Sequence, residues 1–188
     1  GRHAPPSIGG GFSMKHFGWW FTGAVLIAGI FVSVLAVTPL GEKPFRAMFE
    51  PGEITIIDFA EVQLERRPNR FLVCPTFDLC SELNDRTAIF DAEVHELKAR
   101  WGELVALEPR MELVLADEEK MQYVYIQRSQ LFRLPDVFTV QFYDEGNFRS
   151  TLAIYSRGVY GSGDFGSNSS RVFRFIDGLE ETLNVYRR

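Results

Sequence analysis

Residues 158–171, GVYGSGDFGSNSSR, gather the residue types in this sequence best suited to chemistry. Glycines at 158, 161, 163 and 166 permit left-handed or crowded backbone. The pattern predicts a loop that delivers the chain to a helix N-terminus, with Ser167 or Asn168 as the cap. Helix N-termini attract anions, and Arg171 falls in the first turn, so a small carboxylate or a lipid phosphate could sit there. The same residues suit a structural role. Asp164 would pair with Arg157 or Arg171, and its carboxylate would accept the free N–H groups itself, which stabilises a helix end by about 0.3–2 kcal/mol. The structural role is the stronger of the two, because glycines remove the side chains that would recognise a ligand.

A second polar set, Arg128, Arg133 and Asp136, surrounds the turn Leu134-Pro135-Asp136. If a sheet brings it beside Arg157, a buried charge network results, and such networks fix loop geometry more often than they catalyse. Cys74 and Cys80, in CPTFDLC, are spaced for a short loop disulfide in an oxidising compartment, or are two buried thiols. They do not make a four-ligand zinc pattern. Neither has a histidine partner in a nucleophile arrangement, and only three histidines exist. His95, between Glu93 and Glu96, reads as an exposed mid-helix residue. GSGDFG lacks the glycine spacing of a dinucleotide site, and no P-loop occurs. The expectation is a protein without catalytic residues, cofactor or metal. The net charge is −5; residues 1–16 hold Arg2 and Lys15 and no acid, leaving 18 basic against 25 acidic residues beyond them. With no basic stripe, nucleic acid is excluded as a partner.

The elements that must position these residues divide the chain into a tail (1–16), a transmembrane helix (17–41), a neck (42–65) and a soluble domain (66–188). The tail is rich in Gly, Pro and Ser through residue 13. Residues 17–41 run without a charge, and a bilayer core needs about 20 apolar residues in a helix. Trp19 and Trp20 stand at the start, where indoles favour the interface. A cleaved signal peptide is the rival, since Val34-Leu35-Ala36 resembles a cleavage site, but its apolar region is usually only about 7–15 residues; a retained anchor is expected. Gly23, Ala24, Gly29 and Ser33 give the segment a small-residue face suited to helix docking. Flanking Lys and Arg tie, and a signal-anchor arrangement favours the N-terminus inside and the domain on the periplasmic or equivalent side.

In the neck, ITIIDFAEV (54–62) could be one strand, and Phe45, Met48 and Phe49 suit the membrane interface or another subunit. Ile89, Phe90, Val94, Leu97, Trp101 and Leu104 recur as one helix face, with Asn84 or Asp85 as cap, Gly102 as terminator and Glu96–Arg100 as an exposed pair. Four strand-like runs follow, MELVLAD, QYVYIQRS, DVFTVQFYD and FRSTLAIYSR, with a hairpin turn at residues 144–147. Helical spacing returns through Val172, Phe175, Ile176, Leu179 and Leu183. The fold class is α+β: an antiparallel sheet of about four to six strands with two helices on one face, preceded by one N-terminal transmembrane helix.

Three segments, RPNRFLVCP, QRSQLFRLPDVFTVQFYD and IYSRGVYGSGDFGSNSSRVFRFIDGL, together resemble the family called domain of unknown function 1499. Its elements correspond to Pro68-Asn69, to Leu134-Pro135-Asp136, and to Ser156-Arg157 with Gly161, Asp164, Gly166, Asn168 and Arg171. Ser167 stands where a valine is usual, and Val159-Tyr160-Gly161-Ser162 replaces a more common Arg-Val-Gly-Tyr/Phe order. The likeness spans about residues 66–183. It implies a domain, often membrane-tethered, and no reaction.

These readings lead to a non-catalytic accessory subunit of a larger membrane complex, respiratory or photosynthetic, in a bacterial inner membrane or its organellar equivalent. Its partners would be other membrane subunits and the lipid bilayer, and a partner would tie down the tail. The alternative is a tethered module that binds a small anion or lipid headgroup at loop 158–171.

Overall fold

A computed structural model of the chain describes residues 14–64, 69–161 and 166–186, with side chains from Trp19 onward. The tail through residue 13 and Asp164 lie outside the described residues. The helix α1 spans Met14–Val37. Within it, Trp19–Val37 is long and apolar enough to cross a membrane, and almost none of it is buried against the rest of the molecule. A signal sequence meets the same test of length and composition. Thr38 ends the helix by turning its hydroxyl onto the Val34 carbonyl (2.7 Å). A single 3₁₀ turn at Pro39–Gly41 then leads into the short helix α2, Glu42–Met48. Gly41 is needed there: a Cβ would overlap the Leu35 carbonyl and press on the Phe45 ring.

The domain is α+β with a six-stranded mixed sheet: β1 Arg70–Cys74, β2 Asp85–Arg86, β3 Met111–Asp117, β4 Gln122–Arg128, β5 Pro135–Gly146 and β6 Arg149–Gly158. The spatial order is β2-β1-β6-β5-β4-β3. β3 to β6 form an antiparallel meander, and β1 adds antiparallel to β6. The expectation of a wholly antiparallel sheet is corrected at one edge, where two-residue β2 pairs parallel to β1. The ten residues between β1 and β2 supply the crossover, closed by a disulfide between Cys74 and Cys80 (Cα–Cα 6.3 Å).

The helices are α3, Val94–Leu107, and α4, Ser167–Thr182. The predicted start of α3 is too early. Asp85 and Arg86 are taken by β2, and Phe90 instead bridges Ser150 and Val185 in extended backbone. Glu93 is the N-cap, Gly102 does not end the helix, and His95 falls in the first turn rather than at the middle. Arg100 pairs with Glu103 (3.1 Å) instead of Glu96. The β5–β6 turn also lies later than expected. Gly146 pairs with Arg149, so Asn147 and Phe148 form the two-residue loop, both left-handed (φ 54° and 59°) as such hairpin turns require.

Strand alternation divides the sheet's side chains into two clusters. Val73, Tyr123, Tyr125, Phe138, Val140, Phe142, Leu152 and Ile154 pack with Leu97 and Trp101 of α3 and with Val172, Phe175 and Leu179 of α4. Trp101, 1% exposed, stacks on Phe175 (4.6 Å) and Phe138 (5.7 Å) and donates its indole N–H to the Tyr125 hydroxyl (3.3 Å). The two helices approach at Gly178, where a Cβ would stand 2.9 Å from Leu104. Leu72, Cys74, Ala153 and Tyr155 join the other cluster, with Phe59, Cys80 and, less deeply, Ile57, Val62 and Leu64.

That second cluster explains the neck. Residues 54–62 are not a strand; they contain one 3₁₀ turn, Phe59–Glu61, capped by Asp58. Their backbone is held by a side chain instead of a ladder. Gln122, fully buried, accepts from Ile57 N–H (2.8 Å) and donates to Ile57 C=O (2.9 Å) and to the Gln141 side-chain carbonyl (2.8 Å).

Candidate functional site

The sheet end nearest α1 carries the start of β1, the end of β4, the start of β5 and the end of β6. This topology brings Asn69, Asp136, Ser156, Asn168 and Arg171 into one network. Arg171, mostly buried, donates through Nη2 to Asp136 (2.6 Å) and through Nη1 to Ser156 Oγ (3.1 Å) and Asn168 Oδ1 (3.0 Å). Ser156 Oγ in turn donates to Asn168 Oδ1. Asn168 is fully buried, and its amide donates to the Asn69 carbonyl (3.0 Å). The Asn69 amide donates to the carbonyls of Gly158 (3.2 Å) and Gly161 (3.1 Å), which fixes the glycine loop to the start of β1. Gly158 packs against the network, where a Cβ would touch both Asn69 and Asp136 at 3.4 Å.

Among the described residues, the network's side chains bond to one another and to nearby backbone carbonyls. The Arg171 guanidinium meets a carboxylate, a hydroxyl and an amide oxygen, a matched set for a buried cation. The helix cap also differs from expectation. Gly166, left-handed at φ 81°, is the N-cap of α4, because Ser167 and Asn168 already have helical backbone and the Asn168 side chain is needed inside. Asp164, the expected partner of Arg157 or Arg171, lies outside the described residues.

Arg128 and Arg157 do not join the network. Arg128 donates through Nη1 to the carbonyls of Phe49 (3.0 Å) and Arg133 (2.8 Å), and burial pushes its guanidinium below the usual value, with Arg46 adding to the effect. Arg157 donates to the Glu53 carbonyl (3.3 Å), and burial likewise lowers its pKa. Both bind neck backbone, so their role is to hold residues 49–53 against the sheet end. The neck adds its own contacts. Phe45 meets Phe132 edge-on (5.6 Å), Phe49 meets Tyr160 (5.2 Å), and the Tyr160 hydroxyl donates to the Glu50 carbonyl (2.9 Å). Phe45 and Phe49 therefore pack within the chain, while Met48 remains exposed.

Arg133 sits in the loop before β5, with Nε 3.4 Å from Glu42 of α2. Its Nη1 is buried without a hydrogen-bond partner. Phe132 and Arg133 are both left-handed (φ 36° and 53°), an uncommon conformation for side chains of this size. Sequence reasoning found Arg133 through its neighbourhood to Leu-Pro-Asp but missed Glu42, whose role depends on α2 folding back. It also missed Gln122, which looks like any polar residue at a strand start.

No group of three or more metal-ligating side chains occurs among the described residues. Compared with known proteins, the chain matches no family model and no curated sequence.

Proposed function

We propose that this chain is a non-catalytic accessory subunit of a larger membrane complex, respiratory or photosynthetic, held by α1 as a single-pass anchor. The observation that carries the proposal is α1 itself. It presents a full membrane span of apolar surface that the rest of the chain does not cover, and a Cβ at Gly23 or Gly29 would meet nothing within 4 Å. Gly29 and Ser33, one turn apart, form one open notch and Gly23 with Ala24 another, roughly a third of a turn around the helix, and small residues are where a neighbouring helix can approach closely. Ser33, on the same helix, has its hydroxyl on the Gly29 carbonyl (2.8 Å), so it too presents a small surface.

The soluble domain supports the reading by how it uses its polar residues. The three segments that resemble the domain of unknown function 1499 meet in the Asn69–Asp136–Ser156–Asn168–Arg171 network, and there they bond to one another. Polar residues spent on holding strand ends together suit a scaffold better than an enzyme. In this reading α3 and α4 cover one sheet face, the neck covers the other, and the domain stands on the periplasmic or equivalent side with the N-terminus inside. The test is gentle solubilisation of native membranes followed by identification of what accompanies the chain. Migration within a large assembly is the expected result. Migration alone, with an anion or lipid held at loop 158–171, would favour the binding-module reading.

A further inference from the structure

Leu131 and Phe132, at the tip of the loop before β5, are 49% and 40% exposed, although the loop is held rigidly. Ser129 accepts from Leu134 N–H and donates to the Leu131 carbonyl, and Arg133 N–H closes a tighter turn on that same carbonyl. Consecutive left-handed residues of this bulk cost on the order of 1–3 kcal/mol each, and such strain persists where surrounding structure holds it. Met48, three residues past Phe45 on α2, is 66% exposed, and Leu40, in the turn before α2, is 73% exposed. Basic groups gather here in an otherwise acidic chain. Lys43 is exposed, Arg46 bridges Glu42 and Glu112, and Arg128 and Arg133 lie mostly buried beneath them.

The position of this patch is set by α1. Only the turn Pro39–Gly41 separates α1 from α2, and the close approach of Gly41 to Leu35 keeps that turn tight. Phe45, eight residues past the end of α1, packs edge-on against Phe132. At about 1.5–2 Å per residue, those eight residues place the loop at most roughly 12–16 Å from the end of the span, and closer to the membrane plane where α2 runs along it. The headgroup region on each side of a hydrocarbon core is about 5–8 Å deep.

We propose that α2 lies along the membrane that holds α1 and seats loop 129–134 on its headgroup layer, with Leu131, Phe132 and Met48 entering the interface and Lys43 facing lipid phosphates. The inference rests on the anchor reading. Mixed apolar and basic surface at this depth is the composition that binds anionic bilayers.

The test uses the full chain reconstituted in phosphatidylcholine vesicles with and without phosphatidylglycerol. Its two native cysteines are joined, so one introduced thiol can carry a fluorophore specifically. A probe on Leu131→Cys should be about fivefold less accessible to acrylamide than one on Phe148→Cys at the far end, and a lipid-borne headgroup quencher should reach it. Lys43→Gln, or omission of phosphatidylglycerol, should expose the Leu131 probe by a similar factor; Lys43 is exposed, so the fold should survive its loss. Equal acrylamide quenching at both positions, in a chain that resists alkaline extraction, would overturn this inference and leave the anchor standing. Alkaline extraction of the chain would remove the anchor and this inference together. In native membranes, a Leu131 probe shielded from both quenchers would assign the patch to a neighbouring protein and likewise overturn it.

Discussion

The two ends of the sheet handle charge in opposite ways. At the α1 end, Arg171, Arg128 and Arg133 are mostly buried and bonded to a carboxylate, to backbone carbonyls, or across to α2. At the far end, Lys98 and Glu118 pair at the solvent edge over the buried Tyr123. Lys98 Nζ lies 2.7 Å from Glu118 and 4.6 Å from the Tyr123 ring centre, and the Tyr123 hydroxyl donates to Glu118 (2.6 Å). Comparable bonds carry different weight in the two places. Removing one partner of a buried pair strands a desolvated charge, whereas water replaces a lost partner at the surface.

The largest effect should come from Arg171→Ala. It leaves Asp136 without its guanidinium and removes a donor from Ser156 and Asn168, so unfolding of the domain should become easier by about 3–5 kcal/mol. Urea denaturation followed by far-UV circular dichroism measures this. A loss below about 1 kcal/mol would mean that the α1 end is no more buried in effect than the far end.

Gln122→Ala should cost less, about 1–3 kcal/mol, because it strands the Ile57 N–H and C=O while leaving the sheet core intact. Its distinguishing mark is local. Limited proteolysis should cut residues 50–64 before the rest of the domain opens. Simultaneous cleavage throughout would show that the neck is part of one cooperative unit.

Lys98→Met should have the smallest effect, a shift of roughly 1–2 °C in Tm, weakened further by salt. Its pH dependence has a definite sign. The Glu118 hydrogen bond raises the Lys98 pKa, so that contribution is present below the ordinary value of 10.5 and is lost as pH rises through the folded value. The Lys98 hydrogen bond lowers the Glu118 pKa, so its contribution is present above 4.5 and fades as pH falls through the folded value. The variant and the parent should therefore differ most between these limits and converge in acid. A large difference that persists in acid would tie Lys98 to something other than Glu118.

The same contrast explains what was legible in the sequence. Enrichment in β-branched and aromatic residues in QYVYIQRS and FRSTLAIYSR carries strand identity, because such side chains fit a pleated, buried surface. The spacing of Val172, Phe175, Ile176 and Leu179 likewise marks α4, since one face of that helix is buried. The start of α3 misled because Ile89 and Phe90 keep helical spacing by chance; Phe90 serves an extended bridge beside β6. The neck misled for a related reason. Ile54, Ile56 and Ile57 look strand-like, but their segment follows a sheet face, where its hydrogen bonds come from Gln122. At the candidate site, Asp136, Asn168 and Arg171 were legible as a polar set, whereas their bonding was not. Partner choice depended on the β5–β6 register, which places Asp136 opposite Gly158 and Phe138 opposite Ser156.

The central proposal is that α1 docks the chain into a larger assembly through its open small residues. The direct measurement is native gel or mass analysis of gently solubilised membranes carrying either the parent chain or Gly23→Leu/Gly29→Leu, which keeps the helix apolar and meets no internal contact. The account predicts that the parent migrates in a large assembly while the variant, still resistant to alkaline extraction, falls to the size of the free chain in detergent. Identical migration of parent and variant, whether both assembled or both alone, would contradict it.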